Sequence, residues 1–171
     1  MKSEVKYRSV KQEKKVAKEI GGRTTAASGA LWGQKADVRN DQFLVECKTT
    51  LKPGYALNYA TWEKIRHEAL RDGFREPVMC IDLEDGKHRL AVLDYNLQMD
   101  YIQRLPEHLV DLSYNYCNKS SRALKWSNKT YRLTFVDKRL LTRGENKDID
   151  LLITPWQSFV DYLEDLDKES E

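Results

Sequence analysis

Cysteine is scarce and scattered. The chain has three, Cys47, Cys80 and Cys117, with no CxxC pair among them. An odd count at such spacings argues against a disulfide framework and against a zinc cluster. Histidine is equally sparse: His67, His88 and His108 fall in separate segments, so a histidine-based nucleophilic triad has little support. His67-Glu68 begins like the zinc-hydrolase pattern HExxH, but Arg71 stands where the second histidine belongs. No GxxxxGKS/T occurs, and Gly21-Gly22 follows a helical stretch instead of opening one, which leaves nucleotide hydrolysis without a phosphate loop. No apolar run approaches the roughly 20 residues that span a bilayer. The leading MKSEVKYRSVKQEKK lacks the apolar centre of a signal peptide. The expectation is a protein with no membrane association that stays in the cytoplasm.

What the chain does have is charge, and that charge is segregated. Charged residues make up 33% of the 171 positions and hydrophobic ones 40%, enough for one well-filled core and short for two, so a single domain is expected. Residues 2 to 23 hold eight basic side chains against three acidic ones; residues 119 to 147 hold nine against two. From Asp148 onward the balance reverses, with eight acids against Lys168. Two separate basic blocks suit a polyanionic partner, because each neutralised phosphate releases counterions. A solvated surface with an acidic, solubilising tail gives the same composition.

Apolar spacing predicts a helix over residues 7–20. At about 100° per residue, Val10, Val16, Ala17 and Ile20 share a stripe. Glu13 falls near the middle of that stripe and Glu19 outside it, so Glu13 is the acid that needs a partner. Gly21-Gly22 ends the helix. Two short strands, about 35–39 and 42–48, join at Asn40-Asp41, which tolerate the left-handed backbone of a tight turn. Pairing Arg39 with Gln42 turns Asp37, Leu44, Glu46 and Lys48 to one face, with Asp37 and Glu46 as diagonal neighbours. Phe43, Val45 and Cys47 take the opposite face. A polar loop from Thr49 to Asn58 leads to a second helix, about 60–72, with Trp62, Ile65, Ala69 and Leu70 as its apolar side. Asp85-Gly86 then marks a hairpin between VMCIDLE and HRLAVLD. Helices are expected at 96–104 and 156–166, a strand at 126–136, and a loop at 115–121. The fold class is α/β: a central mixed β-sheet flanked by helices. Its core covers about 7–105, followed by a basic addition at 106–148 and a C-terminal strand and helix at 149–166.

Asp37, Glu46 and Lys48 on one face, with Glu13 arriving from the first helix, form a set suited to phosphodiester hydrolysis. Carboxylates that hold magnesium supply charge neutralisation and a polarised water, and a nearby ammonium stabilises developing negative charge. Asp37 and Glu46 are the expected metal ligands, with Glu13 completing or relaying to the shell; the Cys47 carbonyl is a further candidate ligand, its thiol facing away. Each residue has a plainer alternative: a surface ion pair for Glu46 and Lys48, a turn-former for Asp37, a helix-edge pairing with lysine for Glu13.

The segments "QEKKVAKEIGG", "SGALWGQKADV" and "LVECKTT" together resemble the PD-(D/E)xK nuclease superfamily, in particular its archaeal and phage Holliday-junction resolvase branch. The resemblance covers roughly residues 8 to 95, with Ala36 where the motif's namesake has proline. It implies a restriction-endonuclease-like core and places Glu13, Asp37, Glu46 and Lys48 in the catalytic positions. It also implies Mg2+ as cofactor, with Mn2+ able to substitute, and DNA as partner, branched as in a four-way junction in phage or prokaryotic recombination. Products would be a 5′-phosphate and a 3′-hydroxyl. Two symmetric nicks call for a homodimer. Ser28 and Gly29 take the loop that approaches DNA, and Arg23, Lys35 and Thr49 are further expected DNA contacts. Lys125, Lys129 and Arg132, interleaved with Trp126, Tyr131 and Phe135, are expected DNA contacts if those aromatics stack on bases instead of filling the core. An endonuclease acting on linear duplexes and a non-catalytic DNA-binding protein are the alternative readings.

Overall fold

In a computed structural model of the protein, the described residues are 2–25, 36–117, 119–136, 144 and 148–170. Helix α1 runs Lys2–Glu19, starting before the expected bound at residue 7. Its buried line is Gln12, Val16, Ala17 and Ile20, while Val10, expected on that stripe, is 38% exposed. The helix stops in a Schellman motif: Gly21 takes φ 61° and the Gly22 N–H donates to the Ala17 carbonyl at 2.8 Å. Gly22 is required on packing grounds as well, since a Cβ there would sit 2.7 Å from the Arg39 carbonyl oxygen.

Strand β1 (Arg23–Thr24) pairs antiparallel with β2 (Val38–Arg39), which pairs with β3 (Phe43–Thr49). The hairpin register is Val38 to Val45 and Arg39 to Leu44, with the Asn40 N–H donating to the Phe43 carbonyl. The turn therefore sits at Asp41-Gln42, one residue later than the sequence suggests. Asn40 is the reason: its side-chain oxygen accepts from the Gln42 and Phe43 N–H groups at 2.9 and 2.6 Å, an Asx turn that keeps Asn40 in the ladder. The pairing moves by two residues, so every side chain keeps its expected face.

The polar loop expected after Thr49 contains a strand, β4 (Gly54–Asn58). Asn58 then caps α2 (Tyr59–Arg71), accepting from the Ala60 N–H at 2.8 Å. Trp62, Ile65 and Ala69 are buried on α2; Leu70, expected with them, is 52% exposed. Strands β5 (Glu76–Leu83) and β6 (His88–Asp94) form the hairpin over Asp85-Gly86. Helix α3 (Met99–Arg104) is shorter than its expected span because a 3-10 turn at Tyr95–Leu97 takes up the start. Strand β7 (Val110–Cys117) and β8 (Ser121–Lys125) replace most of the expected loop at 115–121; β9 is Thr130–Val136 and β10 Asp148–Pro155. Helix α4 (Trp156–Glu169) runs beyond the expected end at 166.

The result is an α/β architecture. An eight-stranded mixed sheet has the order β1-β2-β3-β5-β6-β10-β9-β7, with β3/β5 and β7/β9 parallel, and β4 and β8 form a separate two-stranded sheet. One face of the large sheet is covered by α1 and α4: Phe43, Val45, Cys47, Val78 and Leu93 pack with Val16, Ala17, Ile20, Phe159 and Val160. Phe43 meets Phe159 edge to face at 5.4 Å, and truncating that ring costs about 3–5 kcal/mol. The other face is covered by α2 and the small sheet, where Met79, Ile81, Val92 and Leu133 pack with Trp62, Ile65, Leu57 and Leu124. Among the described residues no helix is long and apolar enough to cross a membrane.

Candidate active site

The site is built on β3, whose seven residues alternate between the two cores. Phe43, Val45 and Cys47 point to α1 and α4. Leu44 points the other way, packing with Ala36 and with Ala69 of α2. Glu46 and Lys48 share the face of Leu44 by the two-residue period of a strand. Continuing the observed register by one residue sets Asp37 directly opposite Glu46, closer than the diagonal placement expected from sequence. The Asp37 carboxylate (Oδ2) accepts from the Cys47 N–H at 2.8 Å, which holds it against β3. Lys48 Nζ donates to Glu46 Oε1 at 2.6 Å. The other Glu46 oxygen, Oε2, is buried with no partner among the described residues. The Cys47 thiol lies in the opposite core, and burial pushes its pKa well up.

Glu13 stands on α1, near enough for its charge to bear on Asp37. It is half-buried and accepts from Ser9 Oγ at 3.0 Å. Helix and hairpin are tied together where α1 ends, because Asn40 Nδ2 donates to the Ile20 carbonyl at 2.9 Å. Desolvation, then the Glu46 charge and, more weakly, the Glu13 charge push the Asp37 pKa from 3.8 to about 6, against the pull of the Cys47 N–H and of Lys48. Desolvation disfavours the Lys48 ammonium, yet the hydrogen bond and charge of Glu46 outweigh it and the pKa rises. Glu19, the other acid of α1, has a separate task. Its Oε2 accepts from Arg89 Nη1 and Trp156 Nε1, each at 2.9 Å, locking α1 to β6 and α4.

Two residues of this region carry no signal in the sequence reading. Gln12 is 4% exposed, and its Nε2 donates to the carbonyls of Lys48 at 3.0 Å and Cys80 at 3.3 Å, clamping the ends of β3 and β5. Its 12-16-20 spacing with Val16 and Ile20 was the available clue: a polar group on the core line of a helix. Tyr55, on β4, shares the field of Lys48 and Glu46; burial pushes its phenol up first, with Lys48 opposing and Glu46 adding. Tyr55 pairs with Leu124 and Gly54 with Lys125, so the small sheet brings part of the basic segment beside the site.

The expected DNA contacts divide. Arg23 is exposed on β1, Thr49 is half-buried directly after Lys48, and Lys125 and Lys129 are exposed. Ser28, Gly29 and Lys35 lie outside the described residues. Arg132 departs from expectation: it pairs with Asp150 across β9 and β10, with its guanidinium 4.0 Å from the Tyr95 ring centre, so its charge is satisfied inside the fold. Phe135 is fully buried and Tyr131 packs against the same core. Trp126 alone of that aromatic group is exposed, stacked on His88 at 4.8 Å.

Among the described residues no three His, Cys, Asp or Glu side chains form a ready cage for a metal ion. What is present is a facing carboxylate pair with one buried oxygen, unpartnered among the described residues, beside an ammonium. Magnesium fits such a pair, since it keeps several waters and is usually bound through one or two carboxylates. The molecule is thus an α/β protein with an acidic pair and a lysine on one strand face of a mixed sheet. Compared with known proteins, the chain matches no family model, no curated protein and no solved structure.

Proposed function

We propose that this chain is a magnesium-dependent endodeoxyribonuclease of PD-(D/E)xK type that hydrolyses phosphodiester bonds in branched DNA. The observation that carries the reading is the meeting of Asp37, Glu46 and Lys48 on one face, with the Asp37 carboxyl pushed to about 6 by burial and by the charges of Glu46 and Glu13. Gathering like charges in a half-buried place costs stability, and carboxyls perturbed in this way cluster at functional sites. Asp37 and Glu46 would hold the cation, with the Cys47 carbonyl as a further ligand. Magnesium, when bound, supplies charge neutralisation at the scissile phosphate and a polarised water. Lys48, oriented by Glu46, offers its ammonium to the negative charge that develops on the phosphate. Glu13 adds its charge to the field around Asp37 from α1. Exposed Lys125 and Lys129 and the charged surface of α1 favour a polyanionic partner. In this reading the protein works in the cytoplasm as a homodimer, one subunit for each of two symmetric nicks.

The test is a gel comparing four-way junction, nicked and linear duplex DNA, with magnesium, with manganese or with chelator. Junction cleavage that needs the metal and disappears in Asp37→Asn and Glu46→Gln is expected. Cleavage persisting in chelator, or undiminished in both variants, removes the proposed mechanism. Equal rates on linear and branched DNA leave a nuclease without junction preference, and binding without cleavage leaves an accessory protein.

A further inference from the structure

A second charged feature lies across the end of β3 from the site, on the α1 face of the sheet. A cleft of about 430 Å³ lies between α1 and the β5–β6 hairpin, and it reaches Thr49, the residue after Lys48. Its floor is Gln12, whose amide nitrogen already holds the Lys48 carbonyl, so cleft and candidate site share the end of β3. Gln12 Oε1 is buried there without a partner among the described residues.

Charge decides what the cleft can take. Four cations line it, Arg8, Lys11, Lys15 and Arg89, against the carboxylates of Asp82 and Asp85. The arginines are committed to structure: Arg8 pairs with Asp85 at 2.9 Å, and Arg89 with Asp82 at 2.5 Å and Glu19 at 2.9 Å. The two lysines are the surplus. Lys11 has no ion-pair partner among the described residues, and Lys15 approaches Glu19 only at 3.8 Å with its side chain 62% exposed. They stand four residues apart on one side of α1, and so present two ammonium groups to the same opening. At the rim Tyr7, 69% exposed, offers an aromatic face to a sugar or base.

We propose that this cleft is a second phosphate subsite, which takes the backbone of the DNA strand beside the scissile phosphate and holds it chiefly through Lys11 and Lys15. The proposal rests on the nuclease reading and deepens it: the strand would lie over Lys48, cross the end of β3 at Thr49 to the α1 face of the sheet and enter the cleft there. Both lysines have exposed side chains, so their removal leaves the core intact.

The experiment measures equilibrium binding of a fluorescent four-way junction in chelator, where no cleavage occurs, between roughly 50 and 200 mM salt. The proteins are wild type, Lys11→Ala/Lys15→Ala and, as control, Lys168→Ala. Each phosphate contact contributes a salt slope of about 0.9, so the double variant should lose about 1.8 from the slope of log K against log salt. Its deficit relative to wild type should shrink by about 3.5-fold per lost contact across that range. Lys168→Ala should match wild type. A double variant with an unchanged slope overturns the cleft and leaves the nuclease reading standing. A wild type that binds no DNA overturns the nuclease reading, and the cleft proposal with it.

Discussion

Replacing Asp37 with asparagine should stabilise the protein while destroying the proposed nuclease activity, and the size of the gain follows from the site. A carboxyl whose pKa rises from 3.8 to about 6 on folding costs the native state about 3 kcal/mol once ionised, at about 1.4 kcal/mol per pH unit. Asp37 is only half-buried, and solvent screening reduces this to about 1–2 kcal/mol. Below about pH 4 folded and unfolded chains both hold the proton, and the substitution has little effect. Between about pH 4 and 6 the folded chain keeps a proton that the unfolded chain has released, so wild-type stability falls as pH rises; above about pH 7 the full penalty is present. Asparagine carries no charge and keeps an oxygen for the Cys47 N–H that Asp37 accepts at 2.8 Å. Thermal melts in chelator, at a series of values from about pH 4 to about pH 8, should therefore show two lines that coincide at low pH and separate as pH rises. At about 2–4 °C per kcal/mol for a chain of this size, the Asp37→Asn variant should lead by about 2–8 °C at about pH 8. If the proposed site holds magnesium, adding the ion should then raise the wild-type Tm and leave the variant's unchanged, because the variant lacks one of the two carboxylates. A variant that melts below wild type at the alkaline end, or a gap that does not change with pH, refutes the view that Asp37 is held ionised at a cost.

Lys48→Ala should lower the cleavage rate by about 100-fold, within the range for losing one preorganised charge donor, and cost about 1 kcal/mol because Glu46 loses its 2.6 Å partner; single-turnover rates and urea melts measure the two effects. Glu19→Gln should lose about 2 kcal/mol by weakening the contacts to Arg89 and Trp156, yet cleave junctions normally at room temperature, whereas Glu13→Gln should reverse that pattern. Arg132→Met should destabilise by about 3 kcal/mol in urea, since it leaves Asp150 half-buried without its ion-pair partner, and should leave the salt slope of DNA binding unaltered.

Much of the site was legible because a strand has only two faces. The hairpin expectation placed the turn one residue early, yet Asp37, Glu46 and Lys48 stayed together, since moving the pairing by two preserves parity. A slip of one would have sent Asp37 to the Cys47 side. Asn40 was read as a turn residue, whereas its side chain mimics a backbone acceptor and defers the turn to Asp41-Gln42. Helix α1 was legible from its stripe, but only in part. Val10 matches the period and stays exposed, while Gln12 lies buried on the same line because the carbonyls of Lys48 and Cys80 satisfy its amide nitrogen. An apolar scan cannot find a polar residue whose partners lie 36 and 68 positions away.

The basic segment was the least legible for a related reason. Strand β4 has its hydrogen-bond partner in β8, more than sixty residues further on, and neither strand has the local turn signal of a hairpin. Cations that look alike in sequence then part company: Arg132 enters the large sheet and is neutralised, while Lys125 ends the small sheet beside Tyr55 and remains exposed. The distinction lies in β-pairing alone, for β9 is an inner strand between β10 and β7, where a side chain must find its partner within the protein. Composition could therefore point to a polyanion but could not say which cations would meet it. Those on α1 and on the small sheet are exposed on either side of the end of β3, and a strand crossing Lys48 would pass between them.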